Sequence, residues 1–320
     1  MISCYIVRSI GIKGKMSRIF FSWLAIVICC IATSCETEVK IDIDDIDTHL
    51  VTNSLINPDS LIRVEVSLSR DVFNDLEYNK TPPVDVFIYE ESELIEKLIS
   101  EEANIYSSSS FKPKSNVNYE LIIDSPWGQS KAKSTVPEKL VPDSTWIVRN
   151  SGRTEYNVVY NQLAIQFQDD DQEKNYYSVF LSFEYLDSLH AFGYLTGRST
   201  LFSYDPVVNH EINYSQADNM NRQIVFSDEL FDEQSHVLRL NFYNILTSAD
   251  PHKFLIYMHF NTISKEYYRY LKTLELYKRQ RNSNIWEDVS EPVSIYSNFS
   301  KSYGIFGAYC THIDTILSVE

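Results

Sequence analysis

Asp169, Asp171 and Glu173 place three carboxylates at alternate positions in one polar stretch. Oxygen ligands of that kind suit a hard cation such as Ca²⁺, yet the stretch lacks the turn glycine and closing glutamate of an EF-hand loop. A solvated turn between two strands accounts for the same pattern. Cys310 and His312 are two apart, so on a strand they share a face. A thiol and an imidazole so placed could form a nucleophile and its base; a buried structural thiol is the competing reading. The remaining histidines, His49, His190, His210, His236, His252 and His259, are scattered and form no H-E-x-x-H motif. Asp228-Glu229 and Asp232-Glu233 bracket Leu230-Phe231 as a short turn at a strand end. Paired carboxylates are common in so acidic a chain, so their spacing alone does not argue for glycosidase chemistry. No G-x-S-x-G, P-loop or dinucleotide fingerprint is present. The chain reads as non-enzymatic, with no cofactor.

The strongest chemical signal is a thiol near the front. Arg8, Lys13, Lys15 and Arg18 precede an apolar run, Ile19 to Ala32, and no acid occurs before Glu36. As a helix the run spans roughly 21 Å at about 1.5 Å per residue, short of the ~30 Å hydrocarbon core. A basic segment, a short apolar run and small residues before a cut are the parts of a secretory signal. Ala32-Thr33-Ser34-Cys35 resembles a bacterial lipobox, with Ala32 where leucine is preferred. The reading is a signal peptide over 1–34, its start at Met1 or Met16, with Cys35 as the lipid attachment site. The alternative is an ordinary signal with an incidental cysteine. Cys29 and Cys30 leave with the signal, and only Cys35 and Cys310 remain. With Cys35 acylated, no disulfide can form within the chain.

Length and charge limit the partners. The chain has 320 residues, with Lys+Arg 28 against Asp+Glu 44 and a formal charge of −16. This balance argues against nucleic acid as a partner, because phosphate binding needs a basic face. Removing residues 1–34 takes four basic residues and no acid, which moves the charge to −20. A body so charged, held at an anionic membrane, is expected to stand off it.

The elements that must position any site are strands. Residues 35–49 form an acidic tether running into a first strand. Ile62, Val64, Val66 and Leu68 alternate with polar residues, and so do Val84, Val86 and Ile88. Leu94 to Ile99 is a further short run. Tyr119, Leu121 and Ile123 lead to the turn Pro126-Trp127-Gly128. The spacing predicts a small β-sandwich of immunoglobulin or transthyretin type over 50–140. Pro137 and Pro142 flank a hinge, Glu138 to Val141. A larger antiparallel β-domain is predicted over 141–320, from the alternation at 163–167, 177–185, 238–242 and 254–260. Residues 187–222 read as long loops or a hairpin insertion. One late helix is predicted over 264–281, with Ser264 as its N-cap and Lys278, Arg279 and Arg281 at its end. The fold class is therefore mainly β.

Three groups of segments carry a family resemblance. The first is Leu50 to Ile56 with Pro58-Asp59-Ser60. The second is Phe167-Gln168-Asp169 with Asn175-Tyr176-Tyr177. The third is Tyr267 to Leu271, Glu291-Pro292-Val293, Tyr296-Ser297-Asn298 and Gly304 to Tyr309. In this order they resemble the domain-of-unknown-function family numbered 4249, outer-membrane lipoproteins of Gram-negative bacteria; Ser302-Tyr303 stands where the family resemblance leads one to expect a glycine-containing turn. The resemblance implies a bilayer-anchored protein encoded beside TonB-dependent receptors and accessory to their uptake role. It carries over no catalytic residue, only Cys35. A surface hydrolase acting on peptide or glycan, and an adhesin or envelope scaffold, are the alternatives.

Overall fold

The structure, a computed structural model, describes residues 49–69, 84–102, 104–169, 173–186, 196–210, 212, 222–231, 234–243, 253–282 and 293–319. Cys35, the signal segment, Asp171 and Glu291-Pro292 lie outside the described residues.

Alternation builds the first body. β1 (Leu50–Ile56) and β2 (Arg63–Leu68) pair antiparallel and bury Leu50, Ile56, Val64 and Val66. β6 (Ile105–Ser107) and β5 (Ile99–Glu102) extend this layer. Opposite lies an antiparallel sheet in the order β4 (Glu93–Lys97), β3 (Asp85–Glu90), β7 (Asn118–Ser125), β8 (Gly128–Thr135). Val86, Ile88, Tyr119, Leu121 and Ile123 fill the space between the layers. The run Leu94–Ile99 is not one strand. It breaks at Leu98, which is buried and donates its N–H to Val86 O at 2.8 Å, so β4 and β5 join opposite layers.

The second body is also two-layered. One sheet has the order β13 (Leu201–Phe202), β15 (Ser235–Tyr243), β10 (Val159–Gln168), β9 (Ser144–Arg153). The other carries β12 (Thr196–Arg198), β11 (Tyr176–Leu186), β16 (Lys253–Ile263) and β17 (Tyr303–Val319), with β14 (Ile224–Ser227) on β11. Phe167 centres the core, its ring 5.0 Å from Phe260, 5.5 Å from Phe231 and 5.6 Å from Tyr177. Each such aromatic burial contributes roughly 1.5–3 kcal/mol. Of the stretch 187–222, the described part comprises β12, β13 and a one-turn helix α1 (Pro206–Asn209) capped by Asp205, whose carboxylate accepts from Val207 N.

β17 joins the two bodies. Residues 309–319 pair antiparallel with β16, while 303–308 pair parallel with β1, from Val51 opposite Tyr303 to Ile56 opposite Ala308. The result is one nine-stranded sheet running through both bodies. Phe306, Ala308 and Cys310 accordingly belong to the core of residues 50–136, far from them in sequence. An unpaired strand edge invites aggregation, and here side chains cover it where β16 stops. Ser264 N donates to Ala308 O, and Ala308 N donates to Ser264 Oγ. The Asn298 carboxamide accepts from Phe306 N at 3.0 Å and donates to Phe306 O at 2.8 Å, taking the place of a strand.

The late helix, α2, spans Lys265–Asn282. Ser264 caps it by accepting from Tyr267 N, an interaction worth about 1 kcal/mol. Glu266 in the first turn and Arg279 and Arg281 in the last match its dipole. Tyr267, Tyr268 and Leu271 pack it against Val225, Ile263 and Tyr309.

Candidate binding cleft

The two bodies leave a cleft of about 960 Å³ where the connecting segment crosses the starts of β11 and α2. Three walls meet there. The first is the hinge. Glu138 O accepts from Thr262 Oγ1, Pro137 O accepts from the Cys310 thiol at 3.1 Å, and Asp143 N donates to Gln166 O at 2.8 Å. The hinge is therefore fastened to β16, β17 and β10. The second wall is Lys174 to Tyr177 with Asp169; the third is Ser264, Lys265 and Glu266.

Asp169 is 1% exposed and already engaged: its Oδ1 accepts from Tyr177 Oη at 3.0 Å and from Asn175 Nδ2 at 3.1 Å. Asn175 N donates to the carboxylate of buried Asp228. This network fixes the start of β11. Glu173 is exposed on the same wall. Of the three carboxylates that could hold a cation, two thus share a wall and the third, Asp171, lies outside the described residues. Among the described residues no group of three or more His, Cys, Asp or Glu could hold a metal ion.

Three oppositely charged dipeptides line the cleft: Glu138-Lys139, Glu173-Lys174 and Lys265-Glu266. Lys174 bonds Glu229 at 2.9 Å; that hydrogen bond raises the lysine pKa and lowers the carboxyl's. Glu138 accepts from Asn116 Nδ2 at 3.2 Å and Glu266 from Ser134 Oγ at 3.4 Å. Lys139 and Lys265 are exposed. Tyr176, packed 4.6 Å from Tyr268, adds an aromatic wall, and burial pushes its phenol pKa up. Such a surface offers ionic hydrogen bonds of both signs to a polar ligand. Sequence reasoning marked Glu138 to Val141 as a hinge, without its place in a cleft. Lys265 and Glu266 carried a signal only as the first turn of a helix.

The thiol and imidazole on β17 do not form a reactive pair. Cys310 is 3% exposed, spends its proton on Pro137 O and sits 3.6 Å from Ser115 Oγ; burial pushes its pKa up and disfavours the thiolate. A serine–histidine contact that the sequence did not announce joins Ser182 Oγ to His259 Nε2 at 2.8 Å. The His259 ring stacks on Phe180 at 4.2 Å, and burial, with Arg198 nearby, lowers its pKa. Among the described residues no carboxylate hydrogen-bonds its other nitrogen, so the orienting member of a triad is missing. The contact ties β11 to β16.

The segments that share a family pattern converge on this seam. β1 pairs with Tyr303 to Ala308, Asn298 caps Phe306, Tyr309 Oη accepts from Asn57 Nδ2, and Tyr176 packs on Tyr268. Residues 36–312 match the model of a domain of unknown function, DUF4249. The chain belongs to the DUF4249 family. No curated protein matches it. Among solved structures, one of a Corynebacterium diphtheriae protein described as membrane anchored is similar at 10% identity and a TM-score of 0.21, covering 67% of this chain. The chain spans 54% of that protein's length. For this DUF4249 member the mainly β expectation holds, and among the described residues no helix is long and apolar enough to cross a membrane.

Proposed function

We propose that this DUF4249 protein is a lipid-anchored, non-enzymatic binding subunit of the outer membrane, accessory to a TonB-dependent receptor. The observation that carries the reading is where the N-terminal segment enters the fold. It runs directly into β1, which is held between β17 and β2 inside the nine-stranded sheet. Acyl chains on Cys35 would then restrain the whole body through a central strand. Two or more chains anchor firmly where one does so marginally. Confinement to the bilayer raises the effective concentration of the cleft near a receptor without any new contact.

Crosslinking in intact cells, followed by purification from detergent-solubilised outer membrane, tests the partnership. The expected result is recovery of a large β-barrel receptor in near-stoichiometric amount. Recovery of the protein alone, at every crosslinker length tried, would contradict it.

A further inference from the structure

Two exposed aromatic residues stand at the end of the first body where the chain enters. The β7–β8 turn presents Trp127, 49% exposed, and the start of β17 presents Tyr303, 55% exposed. Hydrogen bonds join the two elements. Ser300 N donates to Lys131 O at 3.0 Å, Lys131 N donates to Ser300 Oγ at 3.1 Å, and Ser130 and Ser302 share a buried hydroxyl contact at 2.8 Å. Lys301 Nζ lies 3.8 Å from the point where a side chain on Gly128 would begin. The Tyr303 ring meets His49, the first described residue, edge-on at 5.2 Å. Two exposed aromatics and two exposed lysines, Lys131 and Lys301, are thus gathered around the point of chain entry. On the neighbouring strands, Asp85 pairs with Lys97 at 2.7 Å, and Asp124 accepts from Gln129 at 2.7 Å. Neither Lys131 nor Lys301 has an acidic partner among the described residues.

Tryptophan and tyrosine favour the boundary between headgroups and acyl chains, having an apolar body and a polar tip. Lysines beside them meet anionic headgroups. We infer that this end is a membrane-contact face, with Trp127 and Tyr303 seated at the boundary and Lys131 and Lys301 on lipid phosphates. The occupant follows from the chain itself. Thirteen residues lie between Cys35 and His49, so the span from one to the other is at most about 50 Å at ~3.3–3.6 Å per residue. The chain enters the body at His49, against Tyr303, so this is the face the anchor holds nearest the bilayer. Net charge pushes the body away while the local face draws it down. The inference rests on the anchoring proposed above.

Fluorescence in vesicles tests it with the full acylated protein. Trp146→Phe and Trp286→Phe leave Trp127 as the mature chain's one tryptophan. The protein is reconstituted in phosphatidylethanolamine–phosphatidylglycerol vesicles with brominated acyl chains. Trp127 emission should fall by at least about half relative to unbrominated vesicles. A variant keeping only Trp146, on β9 of the second body, should not be quenched. Lys131→Glu with Lys301→Glu should abolish most of the quenching while the protein stays vesicle-bound. Bound protein whose Trp127 is no more quenched than Trp146 overturns the inference and leaves the anchor standing. Protein that does not associate with vesicles at all overturns both.

Discussion

Gly304→Ala is expected to destabilise the fold by roughly 3–5 kcal/mol, a large part of the ~5–15 kcal/mol that holds a typical protein together. Gly304 has φ +108°, and a Cβ there would sit 1.9 Å from Thr52 O and 2.7 Å from Thr52 C. Both atoms are backbone of β1, directly across the parallel pairing. No rotamer change can relieve that overlap. β17 must shift, and with it Phe306 and Ala308 leave the first core. Gly128 supplies the internal control. Its φ is also +108°, yet the nearest atom to a Cβ there is the flexible end of Lys301 at 3.8 Å. Gly128→Ala thus pays backbone strain alone, about 1–3 kcal/mol, while Gly304→Ala adds a clash of overpacking size, about 1–3 kcal/mol or more. Urea unfolding of both variants measures the difference. Equal midpoints would show that the close approach of β1 to β17 does not constrain Gly304.

Cys35→Ala carries the second large effect. Each buried CH₂ of an acyl chain contributes roughly 0.8 kcal/mol to membrane binding, so losing the chains removes far more than two surface lysines and two aromatics can return. The amount recovered with purified outer membranes should fall at least about tenfold, with the folded body intact by circular dichroism. Undiminished recovery would mean that the thiol is not the attachment point.

Much of the fold was legible in the sequence because its signals are local. Val64 and Val66, or Leu238, Leu240 and Phe242, alternate within one strand and bury as alternation requires. Ser264 marks a helix start that the structure places one residue later. The joining of the bodies was not legible. β1 and β17 lie about 250 residues apart, and a parallel pairing leaves no turn between its strands to read. Leu94–Ile99 misled for a related reason: the largely exposed strand β4 and one buried leucine look like a single run until the Leu98 N–H finds Val86. The cleft escaped notice because its charged residues come from a hinge, a strand start and a helix start, each ordinary alone. Asp169 was noticed for its charge, but its acceptor role toward Tyr177 and Asn175 depends on folding.

The measurement that bears most directly on the account is mass spectrometry of the N-terminal peptide of the protein taken from membranes. The account predicts a chain that begins at Cys35, with diacylglycerol on its sulfur and a further acyl chain on its amine. An unmodified peptide, or a chain that begins at another residue with Cys35 as a free thiol, would contradict it.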